Sequence, residues 1–255
     1  MKTLIIDIET APLLTYVWKV WKENIGEKQL LRHSYMMCFA CKWLGEDEVY
    51  YFETRTSNDK ELIKKAYNFL DEADIVIAHN ADRFDIPKIN TYAIQNGLKP
   101  PSPYKVIDTL KIAKKKFFFT RNTLEHIANY LGCSPKLNHQ KFSGFDLWLE
   151  CIRGNEEAWK EMKMYNIQDV ITLEEVYLKL RPFIDNHPNV SIKKTNIDGK
   201  YRCPKCGSDK VQKRGTYETN TGIYQRYRCN ECGGWSRTRY TETEKDNRKQ
   251  ILRSV

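Results

Sequence analysis

The chain has 255 residues, of which 41% are hydrophobic and 29% charged, and this balance excludes a disordered or fibrous protein. Its mean hydropathy is −0.65, and no apolar run approaches the roughly 20 residues that a membrane helix needs. The formal net charge is +9, and residues 190–255 hold 16 Lys and Arg against 7 Asp and Glu, so the whole excess lies in the last quarter. We therefore expect a cytoplasmic protein without membrane association, with a neutral body and a basic appendage that suits nucleic acid.

Strand-like and helix-like segments alternate over residues 1–185. Strands are predicted at Thr3–Ile8, Met36–Leu44, Glu48–Glu53, Asp74–His79 and Lys105–Asp108. Helices are predicted from Asn58 to about Leu70, from Arg83 to Gln95, from Thr123 to Leu131 and from Glu156 to Leu180. A turn around Gly45–Asp47 joins the second and third strands as a hairpin. A hairpin followed by strand–helix alternation predicts an α/β fold with a mixed five-stranded sheet and flanking helices.

The chain changes character after residue 185. Residues 186–200 are polar and contain turn residues, so we expect a linker there. A small second domain is predicted at residues 201–240, followed by a charged tail at 241–255.

Two carboxylates occupy the first predicted strand. Asp7 and Glu9 are two residues apart, so both side chains point to the same face. Charged groups on an apolar strand are costly unless they are paired or bound to a metal, although a strand end that reaches solvent would explain them too. Asp85 lies in the first turn of the helix that follows the fourth strand, where α/β proteins place their chemistry and where a carboxylate also suits the helix dipole.

The last long helix carries Tyr165 and Asp169. They are four residues apart and therefore share one face. By itself this pair is typical of a polar helix face. It indicates a functional site only together with the carboxylates of the first strand and the carboxylate that follows the fourth strand.

Taken in order, these residues resemble the three sequence motifs of the DEDD 3′–5′ exonucleases. The motifs are Asp7-Ile8-Glu9-Thr10, Asn80-x3-Phe84-Asp85 and Tyr165-x3-Asp169. The pattern is most similar to the tyrosine branch, as in the proofreading domains of family-B DNA polymerases, because Met164 and Tyr165 stand where the other branch has a histidine. The resemblance covers residues 1–185 and implies a ribonuclease H-like fold.

The resemblance also implies a two-metal site with Mg²⁺ or Mn²⁺, which prefer oxygen ligands. Asp7 would bridge both ions, Glu9 and Asp169 would complete the ion on the nucleophile side, and Asp85 would hold the other ion through water. Tyr165 would orient the attacking water. Two such ions supply a strong nucleophile and neutralise the leaving oxygen in phosphodiester hydrolysis.

Four of the eight cysteines form two CxxC knuckles, each followed by glycine. They are Cys203, Cys206, Cys229 and Cys232. This spacing is typical of a tetrahedral zinc site, and four thiolates leave no open position on the ion, so the zinc would be structural. The segment is predicted to be a zinc ribbon with a hairpin turn at Thr219–Gly222, and it resembles the DNA-binding ribbons of some insertion-sequence transposases. Cys38 and Cys41 lie three apart on a predicted strand, point to opposite faces and should not share a metal.

Cations and aromatic residues alternate on the ribbon. Arg226 and Arg228 follow one strand, and Trp235, Arg237 and Arg239 follow another. Such a surface can bind along a phosphate backbone and stack on bases. The alternative interpretation is a solvated basic face whose aromatic residues form a very small core.

We therefore expect a metal-dependent 3′–5′ exonuclease whose zinc ribbon helps to hold nucleic acid. Single-stranded or 3′-ended DNA is the expected partner, RNA stays open as a second one, and the sequence leaves any protein partner unknown. The alternatives are a structure-specific endonuclease on the same fold and a non-enzymatic DNA-binding adaptor.

Overall fold

The computed structural model describes residues 1–134 and 141–252, and these divide into two compact units, Met1–Tyr177 and Leu178–Val255. The strands of the first unit are β1 (Thr3–Thr10), β2 (Leu14–Thr15), β3 (Leu30–Arg32), β4 (Met36–Trp43), β5 (Tyr50–Glu53), β6 (Ile75–Ala78) and β7 (Lys105–Asp108). The helices that begin in it are α1 (Lys60–Glu72), α2 (Asp85–Gln95), α3 (Thr109–Lys116), α4 (Leu124–Tyr130), α5 (Asp146–Ile152) and α6 (Glu156–Leu180).

A five-stranded mixed sheet in the order β5-β4-β1-β6-β7 organises the first unit. Its central strand β1 runs antiparallel to β4 and parallel to β6, and β7 continues the parallel half. The predicted sheet and its flanking helices are thereby confirmed. The short hairpin of β2 and β3, together with helices α3 and α5, was not predicted.

The alternation of β1 places its carboxylates on one face and its aliphatic residues on the other. Leu4, Ile6 and Ile8 are buried in a core with residues of α1 and α2. Asp7 and Glu9 alternate with them and therefore lie on the opposite face. That face meets a second core, to which α5 and α6 contribute Leu147 and Met162 among others.

The two cysteines of β4 point to opposite faces of the sheet, as the strand geometry predicts. Cys38 pairs with Glu9 across the strands, while Cys41 pairs with Ile6. Cys38 accordingly belongs to the core beside α5 and α6, and Cys41 to the core beside α1 and α2. Both thiols are buried.

The second unit is built around a three-stranded antiparallel sheet in the order β10-β9-β8. Its elements are α7 (Ile192–Asp198), β8 (Val211–Thr219), β9 (Gly222–Cys229), β10 (Trp235–Arg237) and α8 (Lys245–Lys249). The predicted hairpin turn is present, since Thr219 pairs with Gly222.

The segment 186–200 differs from the expected linker because it contains α7 and joins the second unit. The backbone amide of Val190 donates to the carbonyl of Pro204 at 2.9 Å, and Ser191 is buried. Polar composition alone did not reveal that the segment packs.

The longest helix, α6, has the length of a membrane span but is rich in charged residues. Within residues 1–134 and 141–252 no helix meets the requirements for crossing a bilayer.

Candidate active site and cysteine cluster

Asp7, Glu9 and Asp169 converge at one point of the first unit. Each offers a carboxylate oxygen within 4.8 Å of the others, although Asp7 and Glu9 come from β1 and Asp169 from α6. Asp169 is buried and the other two are half-buried. Three carboxylates this close together can share a hard divalent cation such as Mg²⁺ or Mn²⁺, which prefers oxygen ligands.

A buried asparagine fixes Asp7. The amide of Asn166 on α6 donates to the Asp7 carboxylate Oδ2 at 2.6 Å and to its carbonyl oxygen at 3.2 Å. Asn166 is fully buried. Sequence reasoning missed it because a single asparagine makes no pattern, although it lies three residues before Asp169 and therefore shares its helix face.

Tyr165 and Trp148 border the carboxylates. The indole of Trp148 on α5 donates to Glu9 Oε2 at 3.2 Å, and its ring meets that of Tyr165 edge-on with centroids 5.9 Å apart. Burial raises the pKa of Tyr165 well above its ordinary value, and the charges of Asp169, Glu9 and Asp7 and a hydrogen bond to Asp169 add to this effect. The hydroxyl of Tyr165 therefore stays protonated and is a donor. Trp148, like Asn166, belongs to no motif.

Asp85 approaches β1 from another direction. It is the first residue of α2, is only 2% exposed, and accepts a hydrogen bond from the backbone amide of Ile8 at 3.4 Å. It stands outside the three-carboxylate cluster of the described residues. Burial, with the nearby charge of Asp108, raises the pKa of Asp85 to about 7.

The loop that presents Asp85 is held by Asp108 at the end of β7. The Asp108 carboxylate caps α3 by accepting from the amides of Leu110 and Lys111. It also accepts from the amides of Asn80 at 3.1 Å and Asp82 at 3.3 Å. Asn80 has a positive φ of 79°, a conformation that costs energy for a non-glycine residue, and the bond to Asp108 helps to maintain it.

The four cysteines of the second unit form a compact cluster. The Sγ atoms of Cys203 and Cys232, and those of Cys206 and Cys229, are 3.6 Å apart, and all four lie within 4.8 Å of one another. A disulfide needs about 2.05 Å, whereas sulfurs at about 2.3 Å from a tetrahedral zinc lie about 3.8 Å apart. The cluster therefore fits a zinc ion.

The two knuckles repeat one backbone turn. The amide of Gly207 donates to the carbonyl of Cys203 at 2.8 Å, and the amide of Gly233 donates to that of Cys229 at 3.0 Å. Both glycines have a positive φ, 79° and 74°, which residues with a Cβ atom tolerate poorly. This explains the glycine that follows each second cysteine.

Arginines and aromatic rings of the ribbon lie on a common face of its sheet. Arg228 pairs with Trp235, and Arg226 with Arg237. The guanidinium groups of Arg226 and Arg228 lie 4.9 and 5.9 Å from the Trp235 ring centre, while Arg239 follows the last strand and lies 5.6 Å from the ring of Tyr240. Trp235 is 46% exposed, so the face offers both cations and an aromatic surface to solvent.

The sheet order and the carboxylates on its central strand define a ribonuclease H-like fold of the nuclease type. A family model described as RNase_H superfamily matches residues 27–181, more than half of the chain, and the chain belongs to the RNase_H superfamily. The match begins after β1. This membership supports a nuclease-type function with divalent metals and a nucleic-acid substrate.

Among solved structures, the chain is similar to the family B DNA polymerase from the hyperthermophilic archaeon Pyrobaculum calidifontis. The TM-score is 0.55 and the identity 17%, over 71% of this chain and 25% of the polymerase chain. At this identity the likeness shows the fold alone, and the chain spans about a quarter of the polymerase. No curated protein matches the chain.

Proposed function

We propose that this protein is a metal-dependent 3′–5′ exonuclease of the tyrosine branch that acts on DNA. The observation that carries the proposal is the convergence of Asp7, Glu9 and Asp169 with Tyr165 hydrogen-bonded to Asp169. RNase_H superfamily membership supports the broader class, and the order of the three motifs supports the exonuclease assignment.

Asp7, Glu9 and Asp169 would hold one divalent cation, and Asp85 a second one through water. Cations at this position supply charge neutralisation and a water of lowered pKa. The chain itself supplies orientation. Asn166 and Trp148 restrain the two carboxylates of β1. The hydroxyl of Tyr165 donates its single proton to Asp169, so its oxygen would orient a water by accepting a hydrogen bond from it. It is a poor base because its pKa is raised.

We further propose that the four cysteines of the ribbon hold one structural zinc ion. Arg226 and Arg228 lie beside the Trp235 ring, and Arg237 lies 3.9 Å from the ring centre of Tyr224. These arginines would contact nucleic-acid phosphates, and the exposed rings would contact bases. In this proposal residues 1–185 form the nuclease domain, residues 201–240 the ribbon, and residues 241–255 a charged tail.

Product analysis tests the reaction. A 5′-labelled single strand with Mg²⁺ or Mn²⁺ should shorten one nucleotide at a time from its 3′ end, and a blocked 3′ end should stop it. Cleavage of a circular single strand would instead identify an endonuclease. Tight binding without any cleavage would identify an adaptor, and the same assay with RNA decides between the two nucleic acids.

Variants test the residues. Asp7→Ala, Glu9→Ala, Asp85→Ala and Asp169→Ala should each lower the rate by about 100-fold or more, since the site loses a metal ligand. Tyr165→Phe should slow turnover while metal affinity is kept. Glu46→Ala, which removes an exposed carboxylate in the turn after β4, is the control. A folded carboxylate variant with full activity would contradict the assignment.

A further inference from the structure

The segment between β2 and β3 exposes large aromatic side chains. Within this loop, residues 16–29, Trp18 is 95% exposed, Trp21 81% and Tyr16 68%. Exposed apolar surface of this extent is uncommon on a monomeric protein and marks a place where something binds. The carboxylate site does not use these residues.

Hydrogen bonds fix the backbone of the loop. The carboxylate of Glu23 accepts from the amides of Trp18 at 3.3 Å and Lys19 at 2.9 Å, and from the side chain of Gln29 at 3.2 Å. The amide of Tyr16 donates to the carbonyl of Gln29 at 2.9 Å. The indoles are therefore presented by a defined turn.

The charges of the loop favour one kind of partner. The loop contains one more cation than anions, since it holds Lys19, Lys22 and Lys28 against Glu23 and Glu27. Lys19 and Lys22 follow Trp18 and Trp21 directly, and the carboxylate of Glu23 is engaged by backbone amides. Aromatic rings interleaved with cations are typical of surfaces that bind single-stranded nucleic acid. The core of a protein–protein interface is, by contrast, depleted of lysine.

The loop is also close to the carboxylates along the chain. Trp18 follows Glu9 by nine residues, so even a fully extended connection places its backbone within about 32 Å. A substrate strand that leaves the carboxylate site can reach the loop after a small number of nucleotides.

We propose that the loop of residues 16–29 is a stacking platform for unpaired bases of a single-stranded substrate. Trp18 and Trp21 stack on bases, and Lys19 and Lys22 attract the flanking phosphates. The platform therefore selects single-stranded segments over duplex, because the faces of paired bases are already covered. The inference rests on the proposed function for its class of substrate, but not on hydrolysis.

Binding to a labelled single-stranded DNA oligonucleotide tests the platform. It is measured by fluorescence anisotropy with the full-length Asp7→Ala protein and no added divalent cation. Trp18→Ala and Trp21→Ala should each weaken binding by about fivefold or more, and the corresponding Phe variants should retain most of the affinity. Val20→Ala, which truncates an 83% exposed side chain of the same loop, is the control and should change nothing.

The salt dependence separates stacking from charge. The Trp→Ala variants should leave the slope of log affinity against log salt unchanged, while Lys19→Gln and Lys22→Gln should each reduce it by about 0.7. A blunt duplex should bind without dependence on the two tryptophans.

Unchanged affinity in the Trp18→Ala/Trp21→Ala double variant would overturn the proposal. The proposal would also be overturned if the double variant bound DNA like the wild type but had a different oligomeric mass in light scattering. The loop would then contact a second copy of the chain. A wild-type protein that binds through the tryptophans but hydrolyses nothing would overturn the proposed function and leave this inference standing.

Discussion

Asp7 is held by a residue that no motif contains. Asn166 bonds both the carboxylate and the carbonyl oxygen of Asp7, and it reaches them from a helix 159 residues later in the chain. A ligand that is held in one position binds a cation with less loss of conformational freedom. The asparagine is therefore a positioning residue for the carboxylate site.

Replacing Asn166 should weaken this arrangement. We expect Asn166→Ala to lower metal affinity or the cleavage rate by about 10- to 100-fold, as is usual for partners of metal ligands. Titration of Mg²⁺ against initial rate measures both quantities. Gln168→Ala, which removes the amide that donates to Thr172 on the same helix, is the control. Equal metal affinity and rate in the two variants would remove Asn166 from the site.

Burial makes Asp85 a source of pH-dependent stability. Its pKa is raised from 3.8 to about 7, mainly by desolvation, so without metal the folded protein keeps a proton that the unfolded chain releases. The stabilising contribution is complete below about pH 4 and is lost as the pH rises to about 7. Metal-free protein should therefore be less stable at higher pH.

This dependence should vanish in Asp85→Asn. Without added divalent cation, the wild type should lose up to about 3 kcal/mol more stability than Asp85→Asn between about pH 5 and pH 8. Urea unfolding at both pH values measures the difference. Asp82→Asn, which changes an exposed carboxylate of the same loop, should behave like the wild type. Parallel pH dependence in wild type and Asp85→Asn would contradict the raised pKa.

At the scale of elements, strand geometry separates the two kinds of CxxC. In β4 the cysteines face different cores, so their sulfur atoms cannot meet around one ion. In the ribbon, two turns bring four sulfurs together. The same short motif thus has different chemistry on a strand and in a turn.

Metal analysis of the purified full-length protein checks this distinction. We expect one zinc per chain, and the Cys38→Ala/Cys41→Ala double variant should retain it, because those side chains cannot meet around one ion. Cys203→Ala with Cys206→Ala should lose the zinc. Loss of zinc from the β4 variant would mean that these cysteines bind metal after all.

At the scale of the whole molecule, the two ends of the chain differ in charge. Residues 190–255 carry the entire net positive charge, and four arginines of the ribbon lie beside aromatic rings. Cations that contact phosphates release counterions, which makes binding salt-dependent. The ribbon should therefore set the salt dependence of binding to a great extent.

Neutralising the ribbon arginines in the full-length protein measures how much the ribbon contributes to the salt dependence of nucleic-acid binding. Arg226→Gln, Arg228→Gln and Arg237→Gln should each reduce the slope of log affinity against log salt by about 0.7–0.9. Arg153→Gln is the control, since that arginine belongs to the first unit and is paired with Glu150. A triple variant with the wild-type slope would show that the phosphates are held elsewhere.

Local patterns determined much of this protein. The period of two on β1 predicted that Asp7 and Glu9 share a face, and the spacing of four predicted the same for Tyr165 and Asp169. Hairpin and strand–helix order predicted the five-stranded mixed sheet, and the paired CxxC motifs predicted the cysteine cluster. These properties follow from backbone geometry over a few residues, which a sequence states directly.

Only the tertiary structure decided which distant groups meet. Asn166 and Trp148 reach the β1 carboxylates from helices far along the chain, and Asp108 fixes the loop before Asp85 from a neighbouring strand. The helix within residues 186–200 and the exposure of Trp18 and Trp21 likewise depend on what packs against them. Burial, pKa and hydrogen-bond partners are properties of three-dimensional neighbours, so no short-range pattern could specify them.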